Sequence, residues 1–216
     1  MSDFTLVIGN KNYSSWSLRA WLWMKHIGLD FDEVPVALDT EAMAGQLEPY
    51  FSNEKVPVLL HNDLEIWDSL AILEYFADLF PEQGLPGASG ARAVARSICT
   101  EMHSSFVALR NELPMNCRRE PSPLLLSDAC IADIDRIQAL WHYAGKFSEG
   151  DDDWLFGNFS IVDAMYAPVV LRFHRYQVVL NECAYGYVNR LLDHPAMIEW
   201  VAAARAETAI ILQEER

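Results

Sequence analysis

The sequence predicts an α/β unit followed by an all-helical one, because the secondary-structure signals change near residue 81. Before that point, short β-prone apolar runs alternate with stretches whose apolar residues recur at three- and four-residue steps. After it, every strong periodicity is helical. Between the two lies the stretch 82–90, which holds three glycines and a proline without periodicity, as is typical of a linker.

The first unit is predicted as a mixed sheet with the order β-α-β-α-β-β-α. A buried strand ends at Gly9, and the helix that follows ends at Gly28, since glycine favours a helix C-terminus. A helix between two strands implies a right-handed parallel crossover. The dipeptide Asn62-Asp63 separates two apolar runs and predicts a hairpin. The predicted elements are a strand at 4–8, a helix at 15–27, a strand at 31–38, a weak helix at 41–47, hairpin strands at 58–60 and 64–67, and a helix from 69 to Pro81.

The second unit is predicted to contain only helices, at 91–111, 127–145, 160–176, 182–193 and 195–208. An irregular loop is expected at 114–123, and the acidic run 149–153 is interpreted as a solvated loop. We therefore expect a first domain at 1–81, a linker at 82–90 and a helical domain at 91–216.

Charge and composition exclude several kinds of partner. The formal net charge is −15, and so acidic a surface repels phosphate backbones, which argues against nucleic acid. No apolar run approaches the ~18 residues of a membrane span, and the N-terminus lacks a signal-peptide pattern. No metal is expected, because neither the histidines nor the cysteines show ligand spacing. Reduced thiols in the cytoplasm are the simplest account of the cysteines, which are Cys99, Cys117, Cys130 and Cys183.

Four short motifs, in their order and spacing, resemble the glutathione transferase superfamily. They are the run 14–19 (Ser-Ser-Trp-Ser-Leu-Arg), Val56-Pro57, Asp68-Ser69 followed by Ala-Ile, and the run 160–163 (Ser-Ile-Val-Asp), which reads as a helix capping box. The first is most similar to the Ser-Ser-Cys-Ser signature of the zeta class, with Trp16 in place of the cysteine. The resemblance implies a thioredoxin-like N-terminal domain and an all-helical C-terminal domain.

The resemblance also implies that glutathione is a co-substrate and indicates which residues bind it. Pro57 is expected to be cis, so that the main chain of Val56 pairs with the cysteinyl part of the ligand. Ser69 is expected to hold a carboxylate at a helix N-terminus, with Asp68 on the ammonium group. Ordinary N-capping is the alternative for both residues. Lys55 is expected to face the glycine carboxylate, unless it is a solvated loop lysine.

Ser14 is the candidate that activates the thiol. A free cysteine thiol has a pKa of ~8.5, so a hydroxyl that donates to the sulfur near a helix N-terminus favours the thiolate. Ser15 is the reserve candidate and Tyr13 a weaker one, while capping of the helix is the alternative account of the serines. No cysteine stands at this turn, which argues against a mixed-disulfide mechanism.

The sequence leaves the second substrate open. A pocket for a small electrophile is expected beside the Ser14 turn, lined by Trp16, Met102, His103, Phe106, Arg172 and Arg175. The leading hypothesis is a glutathione transferase. The alternatives are a glutathione-dependent isomerase of the maleylacetoacetate type and a non-catalytic binding or regulatory protein with the same fold. The resemblance further implies a homodimer.

Overall fold

The structure of the protein is a computed structural model that describes residues 2–148 and 153–215. Four residues of the predicted acidic loop, 149–152, lie outside the described residues; Asp153 is exposed. In chain order the described elements are β1 (Phe4–Gly9), α1 (Ser15–His26), β2 (Asp32–Val36), α2 (Met43–Leu47), β3 (Val58–His61), β4 (Leu64–Trp67), α3 (Ser69–Leu79), α4 (Ser89–Ser104), α5 (Val107–Glu112), α6 (Asp128–Ala144), α7 (Ile161–Arg175), α8 (Glu182–Leu192) and α9 (Pro195–Ala206).

The N-terminal part is a mixed sheet with the strand order β2-β1-β3-β4. β1 pairs with β2 in parallel, which confirms the predicted crossover, and β3 pairs antiparallel with both β1 and β4, which confirms the hairpin. Alternate strand residues serve two cores, since successive side chains point to opposite faces. Leu6 and Leu59 pack with α1 and α3, while Val7 and Val58 pack with Leu47 of α2.

The end of β1 is closely packed, which fixes the start of the turn that follows. A Cβ atom at Gly9 would lie 2.5 Å from Leu38 Cδ1, so glycine suits this position. The Gly9 N–H donates to the Ser17 hydroxyl at 3.1 Å, which ties the strand end to the first turn of α1.

The C-terminal part is mostly helical and is built around α7. All but one of the fifteen residues of α7 are buried, and the helix packs against α1, α4 and α8. Its capping box is present as predicted: the Ser160 side chain accepts from the backbone of the first turn, and Asp163 accepts from the Ser160 N–H at 2.8 Å. Because α1 also packs on α3 and α9, one continuous core joins the sheet to the helices.

The predicted single helix at 91–111 is wrong, because the structure breaks it into α4 and α5. Phe106 separates them with a left-handed backbone (φ 64°), and its side chain is buried. Arg110 stabilises the break: its guanidinium donates to the carbonyl oxygens of Met102 and Ser105, which lack helical partners at the end of α4. The predicted irregular loop at 114–123 is confirmed. Among the described residues, no helix is both long and apolar enough to cross a membrane.

Candidate active site

A cleft of about 900 Å³ lies between the start of α1, the loop before β3, the start of α3 and the helical part. Ten of the candidate residues line it, and they are Tyr13, Ser14, Ser15, Trp16, Lys55, Val56, Asp68, Ser69, His103 and Arg172. The cleft therefore brings together the proposed thiol, carboxylate and electrophile regions.

Four candidate residues do not line the cleft. Pro57 is buried, and Met102 and Phe106 belong to the hydrophobic core. Arg175 is buried at the end of α7, where Arg205 and Glu120 are its charged neighbours. The prediction that Met102, Phe106 and Arg175 line the pocket is therefore wrong, because none of them lines this cleft.

The cleft also contains residues that the sequence did not single out as pocket residues, chiefly Arg110, Met115 and three residues near the C-terminus, Ile211, Gln213 and Glu214. No local pattern marks them, because they reach the cleft through tertiary packing of distant segments.

Residues 10–14, here called the Ser14 turn, connect β1 to α1 and present Ser14 to the cleft. The N–H groups of Tyr13 and Ser14 donate to the Asn10 carbonyl at 3.1 and 2.8 Å. Ser14 caps α1, and its hydroxyl oxygen lies 2.7 Å from that of Ser17. In this arrangement the Ser14 hydroxyl donates to Ser17. Since a hydroxyl proton rotates, Ser17 can instead donate to Ser14 while accepting from Gly9, and the Ser14 proton is then available to a ligand in the cleft.

The loop before β3 presents main-chain groups to the cleft. The Val56–Pro57 peptide bond is cis, as predicted from the sequence. Among the described residues, no hydrogen bond is made by the N–H or the C=O of Val56, which stands two residues before β3. Lys55 is exposed and forms no ion pair with any described carboxylate.

The start of α3 forms a polar corner of the cleft. Asp68 caps the helix by accepting the Leu70 N–H at 2.8 Å, and its second oxygen lies 3.2 Å from Nε2 of His103. Ser69 is the first residue of the helix, so its N–H has no helical partner, and its hydroxyl accepts from Arg19 at 3.4 Å. An N–H group, a hydroxyl and a helix N-terminus together suit an anion.

Three arginines place positive charge behind and beside this corner. Arg19 is fully buried, and its Nη2 has no hydrogen-bond partner in the described structure. Burial, then repulsion from Arg110 and Arg172, lowers the pKa of Arg19 to about 9. Burial, then Arg110, lowers the pKa of Arg172 to about 10, so Arg19 and Arg172 remain cationic at neutral pH. The Trp16 ring lies between Arg19 at 4.4 Å and Arg110 at 4.8 Å, in cation–π contact with both.

Tyr13 lines the cleft, but its hydroxyl is already hydrogen-bonded. It accepts from Arg118 Nη2 at 2.7 Å and donates to the Glu215 carboxylate. These two bonds disfavour Tyr13 as a thiol activator and leave Ser14 and Ser15 as the candidates.

The cysteines lie away from the cleft. Cys99, Cys117 and Cys130 are buried, Cys183 is exposed, and burial raises the pKa of Cys117 to about 12 and that of Cys130 to about 11. Residues 2–148 and 153–215 contain no cluster of three or more histidine, cysteine or acidic side chains that could hold a metal ion.

Comparisons with known proteins agree with this architecture. A family model for the glutathione S-transferase N-terminal domain matches residues 13–79. Glutathione S-transferase L2, chloroplastic, of Arabidopsis thaliana is 32% identical over 161 residues, or 72% of this chain and 49% of that protein, so this chain spans about half its length. A probable maleylacetoacetate isomerase of Caenorhabditis elegans is 27% identical over 85% of this chain and 86% of the relative.

A solved structure resembles this chain over most of its length. A glutathione transferase homologue from Burkholderia, with bound glutathione, has a TM-score of 0.68 at 23% identity and covers 94% of this chain and 99% of its own. This likeness confirms the predicted fold, a thioredoxin-like N-terminal part followed by a mostly helical C-terminal part.

Proposed function

We propose that this chain is a member of the glutathione S-transferase superfamily that binds glutathione in the cleft and transfers it to a small electrophile. The match of residues 13–79 to the family model and the similarity to the relatives above support this proposal. The observation that carries the proposal is the unpaired main chain of Val56, which lies in the same cleft as Ser14 and the start of α3. A peptide ligand can pair there as an additional short strand.

The charged groups at the two ends of glutathione match polar residues on either side of Val56 in the cleft. Its γ-glutamyl carboxylate would accept from the Ser69 N–H and hydroxyl, next to the buried charge of Arg19. Its ammonium group would pair with Asp68, in competition with His103. Lys55, which has no described ion-pair partner, would face the glycine carboxylate.

Ser14 would stabilise the thiolate by donating a hydrogen bond to the sulfur. Ser17 supports this role because it lies 2.7 Å from Ser14 and can donate to it. The thiolate then attacks an electrophilic carbon, a carbon–sulfur bond forms, and the leaving group departs or the adduct takes up a proton. Serine remains unmodified throughout and acts only on the charge of the sulfur.

Titration calorimetry and a conjugation assay test this proposal. We expect wild type to bind glutathione, and Ser14→Ala to retain binding while kcat falls by about 10–100-fold, since one donor to the developing charge is lost. Ser15→Ala is the matched control on the neighbouring residue. An absence of binding at millimolar glutathione would favour a non-catalytic protein, and an effect confined to Ser15→Ala would move the role to Ser15.

A glutathione-dependent isomerase is the second candidate, favoured by Arg172. This residue lines the cleft near Glu214, and its buried Nη1 makes no hydrogen bond in the described structure, so this nitrogen is available to a carboxylate of an unsaturated acid. The thiolate would add to a cis double bond, the resulting single bond would rotate, and elimination would return glutathione. If so, Arg172→Gln should raise KM for carboxylated substrates and leave KM for neutral electrophiles unchanged.

We also propose a cytoplasmic role for the protein, in the detoxification of electrophiles. We propose further that the protein is a homodimer. Phe51 and Trp67 are 77% and 44% exposed, with ring centroids 5.2 Å apart beside the edge strand β4. A second copy that covered these rings would remove them from water. Light scattering should give a dimer mass for wild type and a lower mass for Phe51→Ser, whereas Leu125→Ser, at a fully exposed position in the helical part, should remain dimeric.

A further inference from the structure

The segment after α9 crosses the outside of the Ser14 turn. We call residues 207–215 the C-terminal strap. Its first residue, Glu207, places one carboxylate oxygen 2.7 Å from the Lys11 N–H and the other 3.0 Å from the Asn12 N–H. Both are charge-assisted hydrogen bonds to consecutive main-chain donors that β1 and α1 leave unpaired.

Arg118 fastens the strap to the same turn. Its guanidinium donates to the carbonyl oxygens of Glu207 and Ala209 and to the Tyr13 hydroxyl, and it lies 3.6 Å from the Glu215 carboxylate. The Arg118 side chain therefore contacts the strap near both of its ends and also contacts the Ser14 turn.

The loop that carries Arg118 also binds the Ser14 turn, through hydrogen bonds to Asn12. The Asn12 amide donates to Asn116 Oδ1 at 3.0 Å, its own carbonyl side-chain oxygen accepts the Arg118 N–H at 2.9 Å, and its main-chain carbonyl accepts the Cys117 N–H at 3.2 Å. Asn12 is fully buried. The main-chain N–H groups of Lys11 and Asn12, which precede Tyr13 and Ser14, are thus held by the strap, and the Asn12 side chain is held by the loop.

From these contacts we infer that Glu207 is a positioning residue for the reaction: its carboxylate holds the Lys11 and Asn12 amides and thereby sets where the Ser14 hydroxyl meets the sulfur of glutathione. The inference rests on the proposed function of Ser14. Glu207 does not line the cleft, so it acts through the turn, while Ile211, Gln213 and Glu214 of the same strap form part of the cleft wall.

If Glu207 has this role, its loss should weaken activation of the glutathione thiol without weakening the binding of glutathione. The residues proposed to bind the two carboxylates of glutathione, Lys55 and Ser69, make no contact with the strap among the described interactions. Loss of the Glu207 carboxylate should therefore leave glutathione affinity within about threefold of wild type, whereas the thiolate fraction of bound glutathione at neutral pH should fall by about three- to tenfold, as expected for the loss of one well-placed hydrogen bond.

The test compares wild type with Glu207→Ala, Glu207→Asp and a matched control, Glu199→Ala. Glu199 is a carboxylate of α9 that pairs with Lys25 and makes no hydrogen bond to the turn among the described interactions. Glutathione affinity is measured by calorimetry, and the pKa of the bound thiol is measured from the ultraviolet absorbance of the thiolate. We expect Glu207→Ala to raise that thiol pKa and lower kcat, Glu207→Asp to restore part of both, and Glu199→Ala to change neither.

Hydrogen exchange of the ligand-free protein separates this inference from the proposed function. The Lys11 and Asn12 amides should exchange at least tenfold faster in Glu207→Ala than in wild type and Glu199→Ala. If wild type fails to bind glutathione, the proposed function is wrong, and exchange still decides whether Glu207 holds the turn. Unchanged exchange in a folded Glu207→Ala variant, or an unchanged thiol pKa alongside faster exchange, would overturn the inference.

Discussion

Asp163 gives a prediction whose size follows from its surroundings. The carboxylate is fully buried in the capping box, where it accepts from the Ser160 N–H at 2.8 Å, the Tyr187 hydroxyl at 3.1 Å and the Leu155 N–H at 3.3 Å. Burial outweighs these hydrogen bonds and raises its pKa from 3.8 to about 6. The folded state therefore holds this proton more tightly than the unfolded state does.

Because the pKa of Asp163 is higher in the folded state than in the unfolded state, the sign of the pH dependence of stability is fixed. A raised pKa in the folded state stabilises the fold below the unfolded pKa of 3.8, and the benefit is lost as pH rises through about 6. The whole interval corresponds to about 3 kcal/mol. Asp163→Asn cannot ionise, so the difference in unfolding free energy between wild type and this variant should shift by roughly 2–3 kcal/mol against wild type between pH 4 and 7.5.

Urea unfolding at several pH values measures that difference, because the titration of all other groups cancels between the two proteins. Asp153→Asn is the control, since Asp153 carries an exposed carboxylate that pairs with Arg190. Its difference from wild type should vary little with pH. A pH-independent difference for Asp163→Asn would show that Asp163 ionises as easily in the folded state as in water, and would refute the reasoning.

Three further predictions concern other parts of the chain. Burial, then His194, lowers the pKa of His26 to about 4, so this pair should weaken the fold as pH falls from 6.5 towards 4, and His26→Gln should reduce that acid sensitivity in a pH series of melting temperatures. A thiol reagent should label Cys183 rapidly in the native protein and the buried cysteines only in urea, as counted by mass spectrometry. Gly84→Ala should destabilise the protein by about 1–3 kcal/mol in urea unfolding, because the new Cβ would lie 2.6 Å from the Ala77 Cα; equal stability would contradict that packing.

The sequence predicted the elements that have local signals. The apolar run before Gly9, the turn at Asn62-Asp63 and the capping box at Ser160 each specify their structure through residues a few positions apart, and all three are present. The cis bond before Pro57 was predictable from the motif around it.

Features that depend on distant contacts were not predictable in this way. The break at Phe106 has no glycine or proline, and is stabilised by the burial of that ring and by donors from Arg110. Arg172 and Arg175 could not be told apart, because α7 is buried on all sides and periodicity then does not show which residues face the cleft. The part played by Glu207 depends on a contact across 196 positions.

That last contact has a consequence for how the protein is made. Domains fold largely from the N-terminus while the ribosome is still adding residues, so the sheet can form early. The Ser14 turn, however, receives its final hydrogen bonds from a side chain near the opposite end of the described chain. The nascent chain would therefore form the fully hydrogen-bonded Ser14 turn only after Glu207 has been synthesised. A fragment that contains the sheet alone would lack those hydrogen bonds.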